Sequence, residues 1–121
     1  MYYGMSANAL EKMYVQGSLK NRDEGFVFEI KNLIDSGSVS GISKLTVNDE
    51  ERQLDGITIE LGGQVREVGS LSWSSSLYVS YGAVMKIYVP GQLEPGENTI
   101  KLIVNAPEVG QLTLPVTDTV S

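Results

Sequence analysis

Ala83-Val84-Met85-Lys86-Ile87-Tyr88-Val89 and Thr99-Ile100-Lys101-Leu102-Ile103-Val104 decide the fold, because both alternate with a period of two. Ala83, Met85, Ile87 and Val89 share one face; Val84, Lys86 and Tyr88 share the other. Ile100, Leu102 and Val104 oppose Thr99, Lys101 and Ile103 in the same way. Successive side chains of an extended backbone point to opposite sides, so this is the signature of strands with one face in a core. Working outward, Phe26, Phe28 and Ile30 oppose Val27, Glu29 and Lys31. Ile57, Ile59 and Leu61 oppose Thr58 and Glu60, and Leu112, Leu114 and Val116 oppose Gln111 and Thr113. Shorter strands are predicted over 14–19, 43–47, 64–68 and 77–80.

Turn chemistry separates these runs. Gly62-Gly63 is a hairpin signal, since tight primed turns need positive φ. Glu94-Pro95-Gly96-Glu97 suits a type II turn, with Pro95 fixing φ and Gly96 taking the positive value. Asn48-Asp49 reads as another tight turn, and Gly37-Ser38-Val39-Ser40-Gly41 as a flexible loop. Pro107 and Pro115 belong near strand ends or on an edge strand, because proline cannot donate to a ladder. About eight short strands at this spacing predict a mostly β chain, an antiparallel β-sandwich of immunoglobulin-like or jelly-roll-like kind. One short helix is expected over 6–14, with Asn8 as cap and Glu11 in capping-box position. The expected division is an N-terminal arm and helix over 1–14 and a single sandwich domain over 15–121.

The chain has 121 residues, 15 acidic and 9 basic side chains, a formal charge of −6, and neither cysteine nor histidine. A chain of this size holds one domain. No disulfide, thiol nucleophile, Cys- or His-ligated zinc site, or Ser-His-Asp triad can be built from it. The negative charge disfavours non-specific nucleic-acid binding and anionic membranes. No apolar run approaches the ~20 residues of a helical membrane span. The start Met1-Tyr2-Tyr3-Gly4-Met5 has no basic or apolar leader region, so a cytoplasmic location is expected.

Few residues invite a chemical role. Asp49, Glu50 and Glu51 would offer oxygen ligands to a hard cation, but EF-hand spacing and a Gly-centred loop are missing, and a solvated acidic turn accounts for them. Carboxylates abound without one pair standing out for acid–base catalysis. The glycines lack the spacing of a phosphate loop. The expectation is therefore no catalytic, cofactor-binding or metal-ligating residue and no cofactor. Aromatic side chains are the better candidates. Trp73 sits in the Ser-rich run Gly69-Ser70-Leu71-Ser72-Trp73-Ser74-Ser75-Ser76, where it either anchors a contact or folds back to plug the open end of the sandwich. Tyr78, Tyr81 and Tyr88 join it as expected interface or ligand contacts. Tyr2, Tyr3 and Met5 form a second apolar candidate.

Several segments together resemble a known family. They are Val15-Gln16-Gly17-Ser18-Leu19-Lys20-Asn21, Gly25-Phe26-Val27-Phe28-Glu29-Ile30-Lys31, Leu45-Thr46-Val47-Asn48-Asp49-Glu50-Glu51, and Gly91-Gln92-Leu93-Glu94-Pro95-Gly96-Glu97-Asn98-Thr99-Ile100. Over residues 15 to 106 the chain is similar to the β-subunit of bacterial C-glycoside deglycosidases, departing from it at Asn98, where that family often carries histidine. The resemblance implies a small sandwich subunit without catalytic residues of its own. It implies a larger TIM-barrel partner that holds a divalent metal and cleaves 3-oxo C-glycosides.

Together these readings predict a non-catalytic accessory or interaction subunit, partnered by such a barrel enzyme or by a second copy. The alternatives are a carbohydrate-binding module stacking sugars on Trp73, or a homo-oligomeric structural protein.

Overall fold

The computed structural model describes residues 10–121, and eleven antiparallel strands account for most of them. They are β1 (Lys20–Arg22), β2 (Gly25–Lys31), β3 (Gly37–Val39), β4 (Gly41–Val47), β5 (Glu50–Glu51), β6 (Thr58–Leu61), β7 (Gln64–Glu67), β8 (Leu77–Val79), β9 (Val84–Pro90), β10 (Gly96–Ala106) and β11 (Gly110–Val120). A 3₁₀ turn over Val68–Ser70 follows β7. One sheet has the order β1-β2-β9-β6-β7, a second β11-β10-β4-β5, and β3 pairs with β8 as a small third sheet. The β-sandwich expected from the alternation is thus the fold.

The alternation also assigns the faces correctly. Phe26, Phe28, Ile30, Ile59, Ile87 and Val89 line the inner face of the first sheet; Leu45, Ile100, Leu102, Leu114 and Val116 line that of the second, all of them buried. Phe26 and Phe28 sit two residues apart with ring centroids 6.1 Å apart. Met13 and Tyr14, on the arm side of the expected division, belong to the same buried cluster.

The turns behave as their chemistry requires. Gly62 and Gly63 have φ of 59° and 83°, and Asn48 and Asp49 have 51° and 70°. Positive φ at both central residues is the primed hairpin turn, whose twist matches that of the strands it joins.

Four expectations need correction. The helix is not seen over the expected length: 6–9 lie outside the described residues, only Leu10 and Glu11 of the rest are helical, and the turn closes through Met13 N–H to Leu10 O (3.1 Å) and Tyr14 N–H to Glu11 O (3.2 Å). By Tyr14 the backbone is bridged to Ile30 of β2, so sheet pairing replaces helix. The strand over 14–19 is broken by a turn at Gly17, whose φ is 88°, and pairing resumes only at β1. The run 37–41 is not a loop but β3 and the start of β4, because Gly37, Ser38 and Val39 pair with Val79, Tyr78 and Leu77. Finally, β10 and β11 are eleven residues each, longer than the periodic cores suggested.

Pro115 lies mid-way along β11 at the sheet edge. Its missing N–H fixes the hydrogen-bonding phase. Lys101 opposite it must be in a non-bonded pair, so the N–H and C=O of Gln111, Thr113 and Thr117 point to the open edge.

Candidate functional site

The connection between β7 and β9 carries the exposed aromatics. Trp73 is 83% exposed, Tyr81 62% and Tyr78 61%. Trp73 therefore does not plug the sandwich. It stands at the tip of a tight turn in which Ser72 N–H donates to Ser75 O (3.2 Å) and Ser75 N–H donates to Ser72 O (3.0 Å) and Ser72 Oγ (3.1 Å). Arg66 on β7 braces that turn from behind, its Nη2 donating to Ser75 O (3.3 Å) and Ser75 Oγ (3.1 Å). Ser72 and Ser75 of the Ser-rich run are the hydrogen-bonding frame of this tip.

Tyr78 follows on β8. Strand alternation sends Leu77 and Val79 into the core and leaves Tyr78 outside, opposite Ser38. Tyr81 sits in the next turn, its N–H held by Ser36 Oγ (2.9 Å), while Gly82 N–H donates to Asn32 O (2.7 Å). Val84 and Leu33 add exposed apolar surface where β2 and β9 meet this connection. Backbones pinned in this way lose little freedom when they bind.

Tyr88 is placed elsewhere. It lies half-buried on the outer face of the five-stranded sheet, with Val27 of β2 and Thr58 of β6 beside it. Its ring covers Gly25: a Cβ at that glycine would come within 2.7 Å of Tyr88 Cζ and Oη. The structure thus keeps Trp73, Tyr78 and Tyr81 on one connection and separates Tyr88 from them. A further signal in the sequence marks the same segment: no charged residue occurs between Glu67 and Lys86. Depletion of charge with enrichment of Tyr and Trp is the composition of an interface centre.

Asp49, Glu50 and Glu51 are exposed at the β4–β5 hairpin. Among the described residues no three His, Cys, Asp or Glu side chains gather to hold a metal ion. The perturbed ionisable groups are engaged structurally. Tyr14 has its pKa raised, first by burial and then by donating to Asp118 Oδ2 at 2.7 Å. Asp118 is held below its ordinary value of 3.8, chiefly by the Tyr14 hydroxyl and then by the Thr119 N–H. Glu108 is lowered mainly by the Ser38 N–H it accepts at 3.0 Å. Among the described residues no helix is long and apolar enough to cross a membrane.

Fold and surface together define a two-sheet antiparallel sandwich domain that presents a braced, uncharged aromatic edge. The chain belongs to the family described as hydroxymethylglutaryl-CoA reductase, N-terminal domain, which matches residues 9–121. No curated protein matches the chain. This membership corrects the resemblance to the C-glycoside deglycosidase β-subunit, and the carbohydrate-binding reading with it. The barrel-enzyme partner loses its basis. The physical reason lies in the motifs that carried the resemblance: the Asn48-Asp49 and Pro95-Gly96 turns follow from backbone requirements any sandwich hairpin shares.

Proposed function

We propose that this chain is a non-catalytic accessory domain of a hydroxymethylglutaryl-CoA reductase-family protein. It works by contact, through the surface built from Trp73, Tyr78 and Tyr81, with the reductase portion named by its family or with a second copy of itself. The observation that carries this reading is Trp73, fully presented on a turn that Arg66 and three serines hold in place. A large aromatic side chain so exposed gains most of its burial only when a partner covers it. The three ionisable groups with shifted pKa support the accessory role, each being spent on a bond between structural elements. The reading takes the cytoplasm as its compartment, in keeping with a chain free of cysteine.

The test retrieves the tagged full chain from its own cells, as wild type and as Trp73→Ala, and identifies stoichiometric companions by mass spectrometry. A reductase-family protein or a second copy should accompany the wild type. Trp73→Ala should weaken that complex by more than ~1 kcal/mol, about fivefold or more in Kd. Its own unfolding midpoint should not move, because the ring is solvent-exposed. A chain that elutes alone, or a complex indifferent to Trp73→Ala, refutes the proposal.

A further inference from the structure

A second site lies away from the aromatic edge, where the two main sheets part beside β11. Met13, Met85, Val104, Leu112 and Leu114 line an apolar cleft of about 70 Å³. A dry cavity of about 150 Å³ admits benzene, so one half that size takes a single short aliphatic group. Its rim is acidic. Asp35 and Glu108 stand at the mouth, and the lining includes neither lysine nor arginine. Glu108 is fixed there by the Ser38 N–H (3.0 Å), and its Oε1 lies 3.2 Å from where a Cβ on Gly37 would be. Asn32 does not serve a ligand: its amide is committed to Asp35 O (2.8 Å), Val79 O (3.2 Å) and the Ile34 N–H (3.1 Å).

Backbone bonding capacity adjoins the cleft. The N–H and C=O of Gln111 and Thr113 point to the open edge of β11, by the phase Pro115 sets. Farther along that edge Glu11, Lys12, Tyr14 and Gln16 line a hollow together with Pro115 and Thr117. Among the described residues no strand pairs with the outer edge of β11, so the part beside the cleft can accept an added strand.

We propose that this cleft and edge bind an extended segment of a partner protein carrying an aliphatic residue flanked by lysine or arginine. The segment pairs with Gln111 and Thr113 as an edge strand. Its aliphatic side chain enters the cleft lined by Met13, Met85, Leu112 and Leu114. Its cations meet Asp35 and Glu108, complementing a rim of one sign on a chain of net charge −6.

The probe is the blocked peptide acetyl-Thr-Lys-Leu-Lys-Thr-amide, titrated into full-length protein labelled with ¹³C at the methionine methyls. The Met13 and Met85 signals should shift saturably. Replacing the peptide leucine by asparagine, or both lysines by glutamate, should weaken binding about tenfold. Glu108→Gln, which keeps an oxygen for the Ser38 N–H, should weaken the lysine peptide about threefold and leave the glutamate peptide unfavoured no longer to the same degree. The proposal is overturned by unmoved methyl signals, by equal response to all three peptides, or by indifference to Glu108→Gln. It is also overturned if the signals move with protein concentration alone, which assigns the cleft to a second copy. Cross-relaxation from the Met85 methyl to the rings of Tyr2 or Tyr3 assigns it instead to the chain's own start.

Discussion

Asn98 shows how much one buried amide can organise. It is 3% exposed, and its Nδ2 donates to Glu94 O (2.9 Å) and Gly96 O (3.1 Å). Its Oδ1 accepts from Asn48 Nδ2 (3.0 Å), while Asn48 Oδ1 accepts the Thr99 N–H (2.9 Å). Two turns read separately in the sequence, Asn48-Asp49 and Pro95-Gly96, are therefore one hydrogen-bonded unit. Asn98→Ala leaves two carbonyls and an amide without their partner, which should cost about 2–3 kcal/mol in urea unfolding. A loss below about 0.5 kcal/mol would mean that water replaces the amide. The sequence named both turns because turn geometry is local. It could not show Asn98 as their link, because the link spans fifty positions. The same limit governed Trp73: residue type marked it as a candidate, while its direction depended on Arg66 and the serine frame.

At the scale of elements, period-two alternation carried nearly everything it could. Runs long enough to show two faces, such as β2 and β9, were legible with their inner and outer residues. β3 has three residues, and β5 two, so neither can display a period. The expected helix stops short of Tyr14 for a related reason: Met13 to Val15 are claimed by β2, through Lys31 N–H to Met13 O (2.7 Å) and Val15 N–H to Glu29 O (2.9 Å). Long-range pairing sets where the described helical turn ends. Between β2 and β9, Gly25 is required by close approach rather than by φ. A side chain there would strike the Val89 carbonyl as well as the Tyr88 ring. Gly25→Ala should destabilise by roughly 1–3 kcal/mol, an overpacking penalty read from the denaturation midpoint. An unchanged midpoint would show that the β2–β9 ladder opens to admit the methyl group.

At the scale of the whole molecule, one clasp joins the two main sheets along an edge. Tyr14 hydroxyl and Gly17 N–H both donate to Asp118 Oδ2, each at 2.7 Å, and Tyr14 oxygen in turn accepts the Leu19 N–H (2.9 Å). This sets the response to pH. Asp118 titrates below its ordinary value in the folded chain, so its contribution is complete above that value and is lost as pH falls through the depressed one. Tyr14 is shifted upward, so its contribution holds below its ordinary 10.0 and is lost as pH rises through the higher native value. Asp118→Asn should therefore lower stability near pH 7, and its deficit against wild type should close as pH approaches 2. Parallel stability curves for the two proteins across that range would dismiss the clasp as a pH-sensitive element. The aromatic connection and the cleft were only partly legible at this scale. The first was marked in the sequence by the aromatic residues Trp73, Tyr78 and Tyr81, but the second is assembled from strands far apart in the chain.

The same clasp has a bearing on lifetime. Tyr14 and Asp118 are 104 positions apart. Bringing such distant points together from an open chain costs about 4 kcal/mol by the logarithmic closure rule alone. In the folded chain the two ends of the bond are carried by the β10–β11 ladder and by the Tyr14–Ile30 bridge. Interactions absent from the folding transition state leave the folding rate alone and slow the escape from the native state. If the clasp closes after the sheets, Asp118→Asn should speed unfolding and leave the folding rate unchanged, a split that a denaturant chevron reads directly.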